Sequence, residues 1–181
     1  MPSASDAVIT PLLTEEQIAE RVRELGREIS SAFEGKNLIL VCVLKGSIPF
    51  FADLARCIET PVQFDTVAIH SYEGTSSTGN VRFGSDLSLD ITGRDVLVVE
   101  DIVDTGTTMK ALLDVMKARG AASIGVVSLL DKPSRRKTPV EIDFLGFSIE
   151  DKFVVGYGLD YNQHFRNLPY VGVLEEIPEG L

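Results

Sequence analysis

The chain has 181 residues, 44% of them hydrophobic and 24% charged, so we expect a single domain over residues 1–181 with one sizeable core. Its formal net charge of −10 disfavours a general nucleic-acid binder, because an acidic surface repels the phosphate backbone. The first residues lack a basic stretch followed by an apolar one, and no apolar run is long enough to cross a bilayer. We therefore expect a cytoplasmic protein without a membrane partner, in which residues 1–6 form a loose tail.

The cysteines and histidines give no sign of a disulfide or a zinc site. Cys42 and Cys57 each lie among apolar residues, which is typical of free thiols that pack as small hydrophobic groups. His70 and His164 are far apart in the sequence and have no neighbouring set of metal ligands. We expect neither histidine to be catalytic.

The first predicted elements are an amphipathic helix and a buried strand. Thr14, with Gln17 three residues later, has the spacing of a capping box at a helix N-terminus. The apolar residues that follow recur at helical spacing, and they are Ile18, Val22, Leu25, Ile29 and Phe33. Gly35 is predicted to end this helix. Residues 38–44 form a continuous apolar run, which is typical of a central parallel strand.

Helices and strands alternate along the rest of the chain. A helix is predicted over residues 49–58 and a strand over residues 62–69. Residues 71–85 are rich in glycine, serine and threonine and are predicted to be a mobile loop. A strand over residues 96–99 and a helix over residues 107–119 come next, and the remaining predicted strands are residues 124–130, 144–147, 153–155 and 170–174. This alternation indicates an α/β fold with a mostly parallel sheet.

Three acidic residues and a turn rich in hydroxyl groups follow the predicted strand over residues 96–99. Glu100 and Asp101 are adjacent, and Asp104 opens the turn into the next helix. The backbone N–H groups of such a turn, at the positive end of a helix dipole, favour a phosphate group. Acids beside a phosphate are compatible with it if they accept from sugar hydroxyls and share Mg²⁺ with the phosphate. The alternative is structural: the acids end a strand and cap a helix.

Residues 98–109, VVEDIVDTGTTM, resemble the phosphoribosyl-diphosphate signature of the type I phosphoribosyltransferases. The similarity to the hypoxanthine-guanine branch of that family extends from about residue 14 to residue 174. The resemblance implies a mostly parallel twisted sheet flanked by helices, with a small hood formed by terminal segments.

The resemblance also implies roles for the residues of this signature. The turn that holds the 5-phosphate consists of Asp104, Thr105, Gly106, Thr107 and Thr108. The positions of Glu100 and Asp101 serve the ribose hydroxyls and Mg²⁺. In the hypoxanthine-guanine branch, the position of Asp104 is also the proposed proton acceptor for the purine imidazole.

Two further segments resemble the parts of the family's site that bind pyrophosphate and cover the sugar. Lys45 and Gly46 match the pyrophosphate loop, in which the peptide bond between these two positions can be cis. Arg166 matches a residue that contacts pyrophosphate. Ser71 and Tyr72 begin the segment that matches the flexible loop closing over the reacting sugar, where closure would exclude water. The structural alternatives are that Lys45 and Gly46 form an ordinary turn, that Arg166 is a surface arginine, and that the segment from Ser71 is a surface loop without a role.

The base-binding residues are implied by two segments near the end of the chain. Lys132 matches a lysine placed against the 6-oxo group of the purine, and a lysine donor favours hypoxanthine and guanine over adenine. Phe153 matches the residue that stacks on the base, and Val154 one that contacts the base edge through its backbone. Asp160 matches a Mg²⁺ ligand next to the base. Taken singly, these residues have structural alternatives: a basic surface patch, a core phenylalanine and a turn aspartate.

These observations predict a Mg²⁺-dependent enzyme that transfers ribose 5-phosphate from phosphoribosyl diphosphate to hypoxanthine or guanine. The resemblance also implies a homodimer or homotetramer. The sequence also allows two alternatives. A regulatory protein of the same fold that binds nucleic acid needs a basic surface, which the net charge opposes. A Mg²⁺-dependent phosphatase leaves Lys132 and Phe153 without a role.

Overall fold

The computed structural model describes residues 7–70 and 82–176, which form a three-layer α/β core and a small second sheet. The strands are β1 (Val8–Leu13), β2 (Leu38–Leu44), β3 (Val62–His70), β4 (Arg82–Ser85), β5 (Asp95–Val103), β6 (Ser123–Asp131), β7 (Phe144–Ser148), β8 (Val154–Val155) and β9 (Val171–Glu176). The helices are α1 (Glu15–Ala32), α2 (Ile48–Cys57) and α3 (Thr107–Ala118), and Pro133–Arg135 forms one 3₁₀ turn.

The central sheet has the strand order β4-β3-β2-β5-β6-β7, and all its pairs are parallel except β3 with β4. Alternate residues of β2 and β5 face opposite layers because side chains alternate along a strand. Leu38, Leu40 and Leu97 pack in the core shared with α1 and α2. Ile39 and Val96 belong to the other core, which contains Met109, Leu112 and Met116 of α3. The predicted α/β fold is confirmed.

The first helix forms as its sequence predicts. Thr14 and Gln17 make the reciprocal bonds of a capping box, with the Gln17 N–H donating to Thr14 Oγ1 at 3.3 Å. The five apolar residues at helical spacing are all buried, and they are Ile18, Val22, Leu25, Ile29 and Phe33. Among the described residues, no helix combines the length and apolarity that crossing a bilayer requires.

The predicted hood is present as a three-stranded sheet of order β1-β9-β8. Its strand β1 comes from the N-terminal part of the chain and pairs antiparallel with β9. The sequence analysis missed β1, because Val8–Leu13 contains Pro11 and Thr10 and shows no clear alternation. Proline is tolerated here because β1 lies at the edge of its sheet.

Most predicted boundaries agree with the structure to within three residues, but two differ more. The strand predicted over residues 96–99 continues to Val103, because Glu100, Ile102 and Val103 pair with β6 and these ladder bonds outweigh the polarity of the acids. The end of the predicted loop over residues 71–85 is a strand, since β4 pairs antiparallel with β3 at the sheet edge. The predictions for residues 71–81, including Ser71 and Tyr72, and for the tail at residues 1–6 lie outside the described residues.

Candidate active site

Two neighbouring cavities open at the carboxyl ends of the central strands. One, of about 230 Å³, lies between the end of β2, the end of β5 and the start of α3. The other, of about 400 Å³, lies between β5, the segment after β6 and the segment around β8. Asp101, Ile102 and Asp104 line both cavities. The site is at a topological switch point, since the chain passes from β2 to β3 on one side and from β5 to β6 on the other.

Glu100 and Asp101 form a pair of carboxylates in the smaller cavity. Ser47 Oγ lies 3.5 Å from Glu100 Oε1, which also accepts from the Asp101 N–H at 3.3 Å. Burial, together with the charge of Asp101, raises the pKa of Glu100 well above its ordinary value. Burial also raises the pKa of Asp101, although the charge of Arg166 acts in the opposite direction. Such a pair is poorly satisfied in its doubly ionised form and would be stabilised by a cation.

The turn after β5 is held in place by the segment that follows β6. Gly106 has a φ of 81° and precedes the first residue of α3, Thr107. The Thr105 carbonyl oxygen accepts from the backbone N–H groups of Lys137 and Thr138, each at 3.0 Å. The hydroxyl oxygens of Thr107 and Thr138 are 3.3 Å apart. The cavity wall at this point is formed by Thr105, Gly106 and Thr108, which places the N-terminus of α3 and two hydroxyl-bearing residues at the same cavity.

The loop between β2 and α2 contains a cis peptide bond at Leu44–Lys45. The resemblance allows a cis bond at Lys45–Gly46, but the sequence alone could not decide whether one is present, and the cis bond of the structure lies one residue earlier. Lys45 is exposed. Gly46 lies directly against Asp101: a Cβ at this position would overlap the Asp101 carboxylate, with Cγ only 2.7 Å away.

The segment after β8 packs on this loop through a second glycine. Gly158 has a φ of 100°, and a Cβ there would overlap the carbonyl oxygen of Gly46 and lie 2.9 Å from Pro49 Cδ. Tyr157 next to it is buried, and its hydroxyl donates to Asp53 Oδ2 of α2 at 2.6 Å. The hood and the loop after β2 are therefore in direct backbone contact.

Asp160 and Arg166 form an ion pair, with Arg166 Nη2 2.7 Å from Asp160 Oδ1. Arg166 Nη1 also donates to the Gly158 carbonyl oxygen at 2.7 Å, and Asp160 Oδ2 accepts from the Gln163 N–H at 2.8 Å. Asp160 lines the larger cavity, whereas Glu100 lines the smaller one. In the part of the chain that is described, no three acidic, histidine or cysteine side chains gather closely enough to hold a metal on their own.

The larger cavity has an aromatic face and a buried cation. The Phe153 side chain is 54% exposed, and its ring lies 5.8 Å from that of Tyr161 in an edge-to-face arrangement. Val154 is buried where β8 pairs with β9. Lys132 is only 7% exposed, and its Nζ donates to the Lys152 carbonyl oxygen at 2.5 Å.

Asp104 faces the larger cavity beside Arg135. Arg135 Nε lies 2.7 Å from Asp104 Oδ1, so the two side chains form an ion pair. The Asp104 side chain remains 40% exposed, so its carboxylate can still accept an N–H group from a ligand.

A sequence profile of the phosphoribosyl transferase domain matches residues 9–162. The chain belongs to the phosphoribosyltransferase family. Its curated relatives include the hypoxanthine-guanine phosphoribosyltransferase of Streptococcus pneumoniae strain R6, which is 48% identical over 166 residues, 91% of this chain and 92% of that protein. The protein of the same name from Bacillus subtilis strain 168 is 46% identical over 165 residues, with the same coverage of both chains.

Solved structures agree with this phosphoribosyltransferase assignment. A hypoxanthine phosphoribosyltransferase from Staphylococcus aureus superposes with a TM-score of 0.90 at 44% identity, covering 97% of this chain and 96% of that one. The chain is also 47% identical over 165 residues to the bifunctional protein TilS/HprT of Listeria monocytogenes serotype 4b, but spans only 26% of that longer protein. The family resemblance drawn from the sequence is confirmed.

The phosphoribosyltransferase site thus brings together most of the residues that the sequence singled out. The signature residues, the loop after β2 and the segment around β8 meet at two adjoining cavities, whereas Arg166 lines a separate cavity with residues 163–168. Sequence reasoning missed Arg135 and Asp151, which line the larger cavity. Arg135 lies in the basic run KPSRRK, which has the composition of a solvated patch, and only its spacing from Lys132 could have indicated a place in the site.

Proposed function

We propose that this chain is a Mg²⁺-dependent enzyme of purine salvage that transfers ribose 5-phosphate from phosphoribosyl diphosphate to hypoxanthine or guanine. The products would be the nucleoside 5′-monophosphate, IMP or GMP, and pyrophosphate. The observation that carries the proposal is the pair of cavities that share Asp101, Ile102 and Asp104. The smaller cavity has groups suited to binding a sugar phosphate, and the larger cavity has groups suited to binding a flat base. The reacting sugar carbon would therefore lie where the two cavities meet.

The larger cavity would bind the base. Phe153 offers an exposed ring face for stacking, and Val154 offers backbone groups to the base edge. Lys132 supplies a donor for a 6-oxo group and cannot accept from the 6-amino group of adenine, so adenine would leave both groups unsatisfied. Asp160 lines the same cavity on the side of the hood.

The smaller cavity would bind the sugar phosphate. The turn formed by Thr105, Gly106, Thr107 and Thr108 would hold the 5-phosphate with its backbone N–H groups and hydroxyls. Glu100 and Asp101 would accept from the ribose hydroxyls. Lys45 and Gly46 with Arg166 would receive the pyrophosphate, which requires Arg166 to exchange its ion pair with Asp160 for one with the substrate.

The carboxylates Glu100, Asp101 and Asp160 fit a Mg²⁺ site that the substrate completes. Mg²⁺ in such enzymes is held by one or two carboxylates plus substrate oxygens and waters, so three preassembled protein ligands are not required. Burial raises the pKa of both Glu100 and Asp101, which supports a site where a cation would offset the charge of the two carboxylates. When bound, Mg²⁺ would supply positive charge to the departing pyrophosphate.

The transfer itself breaks the bond between ribose C1 and a pyrophosphate oxygen and forms a bond from C1 to a purine imidazole nitrogen. The proton lost by the imidazole would pass to Asp104, whose carboxylate lines the larger cavity beside Arg135. General-base assistance of this kind contributes roughly 10²- to 10⁴-fold. Stabilisation of the charge developing on pyrophosphate by Lys45 and Arg166 would add to it.

The deciding experiment measures pyrophosphate release from phosphoribosyl diphosphate and Mg²⁺ with hypoxanthine, guanine, xanthine and adenine as separate acceptors. We expect release with hypoxanthine or guanine and little with adenine. Asp104→Asn should lower kcat by about 100-fold or more if the carboxylate takes the proton. If none of the four purines supports pyrophosphate release, the enzyme assignment is refuted. If kcat is unchanged in Asp104→Asn, the role of Asp104 as proton acceptor is refuted.

We also propose a homodimer or homotetramer in the cytoplasm. The support for self-association is that two large apolar side chains are exposed, Phe64 of β3 at 55% and Ile48 of α2 at 48%. Phe64 packs edge-to-face on Phe51 of α2, with ring centroids 4.9 Å apart, so its orientation is fixed. The support for a reducing compartment is that Cys42 and Cys57 are both free thiols. Analytical ultracentrifugation of wild type and Phe64→Asp would test the assembly.

A further inference from the structure

Four charged side chains alternate in sign along one wall of the larger cavity: Asp104, Arg135, Asp151 and Lys132. Arg135 Nε is 2.7 Å from Asp104 Oδ1, and Arg135 Nη1 is 3.4 Å from Asp151 Oδ1. Lys132 Nζ is 3.9 Å from the same oxygen of Asp151. One carboxylate, that of Asp151, therefore contacts both cations.

The backbone around Arg135 fixes where its side chain begins. Pro133 opens the 3₁₀ turn, and the Arg135 N–H donates to the Lys132 carbonyl oxygen at 3.1 Å. The Lys132 N–H donates in turn to the Val103 carbonyl oxygen at 3.1 Å, which ties the turn to the end of β5 just before Asp104. A guanidinium is planar and forked, so it can contact two carboxylates at a defined separation, which an ammonium cannot do.

We propose that Arg135 and Asp151 are positioning residues that hold the Asp104 carboxylate and the Lys132 ammonium side by side for recognition of a 6-oxopurine edge. The inference rests on the proposed function. On that edge the 6-oxo oxygen, an acceptor, lies next to an imidazole N–H, a donor. A protein that binds both must place a donor beside an acceptor, and two unrestrained opposite charges would instead pair with each other. Arg135 and Asp151 would prevent this, because Arg135 pairs with Asp104 and Asp151 lies near the Lys132 ammonium.

The groups around Asp104 make Arg135 the cation that acts on it most directly. The ionisable residues that line its two cavities in the described ranges are Glu100, Asp101, Lys132, Arg135, Asp151 and Asp160. Four of these six are acidic, and within the described ranges Arg135 alone forms an ion pair with Asp104. The charges of Asp104 and then Asp151 raise the pKa of Arg135, as expected for a cation between two carboxylates. Removing Arg135 therefore leaves Asp104 facing mainly other acids.

The test compares Arg135→Gln, Arg135→Lys and Asp151→Asn with the control Lys137→Gln. Lys137 belongs to the same basic run and its side chain is exposed, so the control removes one positive charge without touching the cluster. The measurements are kcat and KM for hypoxanthine, and KM for phosphoribosyl diphosphate, at the pH optimum. A thermal melt of each variant establishes that it is folded.

We expect Arg135→Gln to lower kcat/KM for hypoxanthine by roughly 10- to 100-fold, the scale of a misplaced catalytic group, with KM for phosphoribosyl diphosphate within about twofold. KM for hypoxanthine should rise as well, because the Asp104 carboxylate is no longer held in place. Asp151→Asn should also raise KM for hypoxanthine, because Lys132 and Arg135 both lose the carboxylate that they contact. Arg135→Lys should recover only part of the loss, and Lys137→Gln should behave as wild type.

A loss confined to hypoxanthine, with KM for phosphoribosyl diphosphate unchanged, distinguishes positioning from a general loss of structure. If wild type is active but Arg135→Gln and Asp151→Asn keep its kcat/KM for hypoxanthine, the positioning roles are refuted and the proposed function stands. If wild type transfers ribose phosphate to no purine, both fail. Should Arg135→Gln not fold, Arg135→Lys and Asp151→Asn still decide, because a full recovery by lysine would contradict the need for a fork.

Discussion

Replacing Gly158 by alanine should destabilise the protein for two reasons, backbone strain and the loss of close contact between the hood and the loop after β2. At a φ of 100°, an alanine costs about 1–2 kcal/mol in the left-handed region. Its Cβ would also overlap the Gly46 carbonyl oxygen and lie 2.9 Å from Pro49 Cδ, which adds an overpacking cost of about 1–3 kcal/mol. The backbone of one segment must move, because neither obstacle is the end of a flexible side chain.

The matched control is Gly35→Ala, since Gly35 has a φ of 71° and a Cβ there would meet nothing within 4 Å. It should cost only the strain. In a domain of this size 1 kcal/mol corresponds to about 2–4 °C, so a loss of about 3 kcal/mol lowers the melting temperature by about 6–12 °C and a loss of about 1 kcal/mol by about 2–4 °C. Circular dichroism melts measure both.

The same variant should affect one substrate more than the other. Because Gly46 lies against the Asp101 carboxylate, a displaced loop should raise KM for phosphoribosyl diphosphate more than KM for the purine. Equal melting temperatures for Gly158→Ala and Gly35→Ala would refute the claim that this backbone contact constrains the fold. A lower stability with both KM values unchanged would refute its link to the pyrophosphate site.

Three further predictions concern single side chains. Because burial and a neighbouring carboxylate raise the pKa of Glu100, its ionisation opposes folding as the pH rises above the ordinary glutamate value. Glu100→Gln should therefore raise the melting temperature without metal more at pH 8 than at pH 5, and an equal gain at both would contradict this. Phe153→Ala should weaken purine binding by about 1–3 kcal/mol, which is the contribution of stacking one base on an aromatic ring. Phe64 is equally exposed, so the control Phe64→Ala should leave the hypoxanthine affinity measured by calorimetry unchanged. Burial raises the pKa of Cys42 to about 12, so the thiol should not react at pH 8 in the folded protein. In a Cys57→Ser variant, iodoacetamide should therefore label Cys42 only when the protein unfolds, and rapid labelling of the native protein would disprove the burial of Cys42.

The parts of the fold that could be predicted from the sequence are those in which local pattern and packing agree. The helix after Thr14 shows both a capping box and an apolar face, and it forms as expected. The end of β5 could not be predicted, because Glu100 and Asp101 are polar and only the pairing with β6 keeps them in the strand. β1 was missed for a similar reason: its partner β9 is more than 150 residues away, and no local signal reports such a pairing.

The residues of the candidate site also include some that the sequence indicates and others that it does not. Its signature could be recognised because Glu100, Asp101 and Asp104 stand in a fixed order before a turn that suits phosphate. Arg135 could not, because an arginine in a basic run has the same local sequence whether it faces solvent or a carboxylate. The ion pair between Asp160 and Arg166 was also unexpected, since each residue was assigned to a ligand rather than to the other.

The pairing of β1 with β9 connects the N-terminal part of the chain to the residues proposed to bind the base. β9 pairs with β1 on one side and with Val154 and Val155 of β8 on the other, and the Leu174 N–H of β9 donates to the Phe153 carbonyl oxygen. A substitution at Ile9 or Leu13 that shifts β9 should therefore shift Phe153 and Val154 without contacting a ligand. Comprehensive mutagenesis should accordingly find substitutions among residues 8–13 that alter the choice between hypoxanthine and guanine while leaving the handling of the sugar phosphate intact.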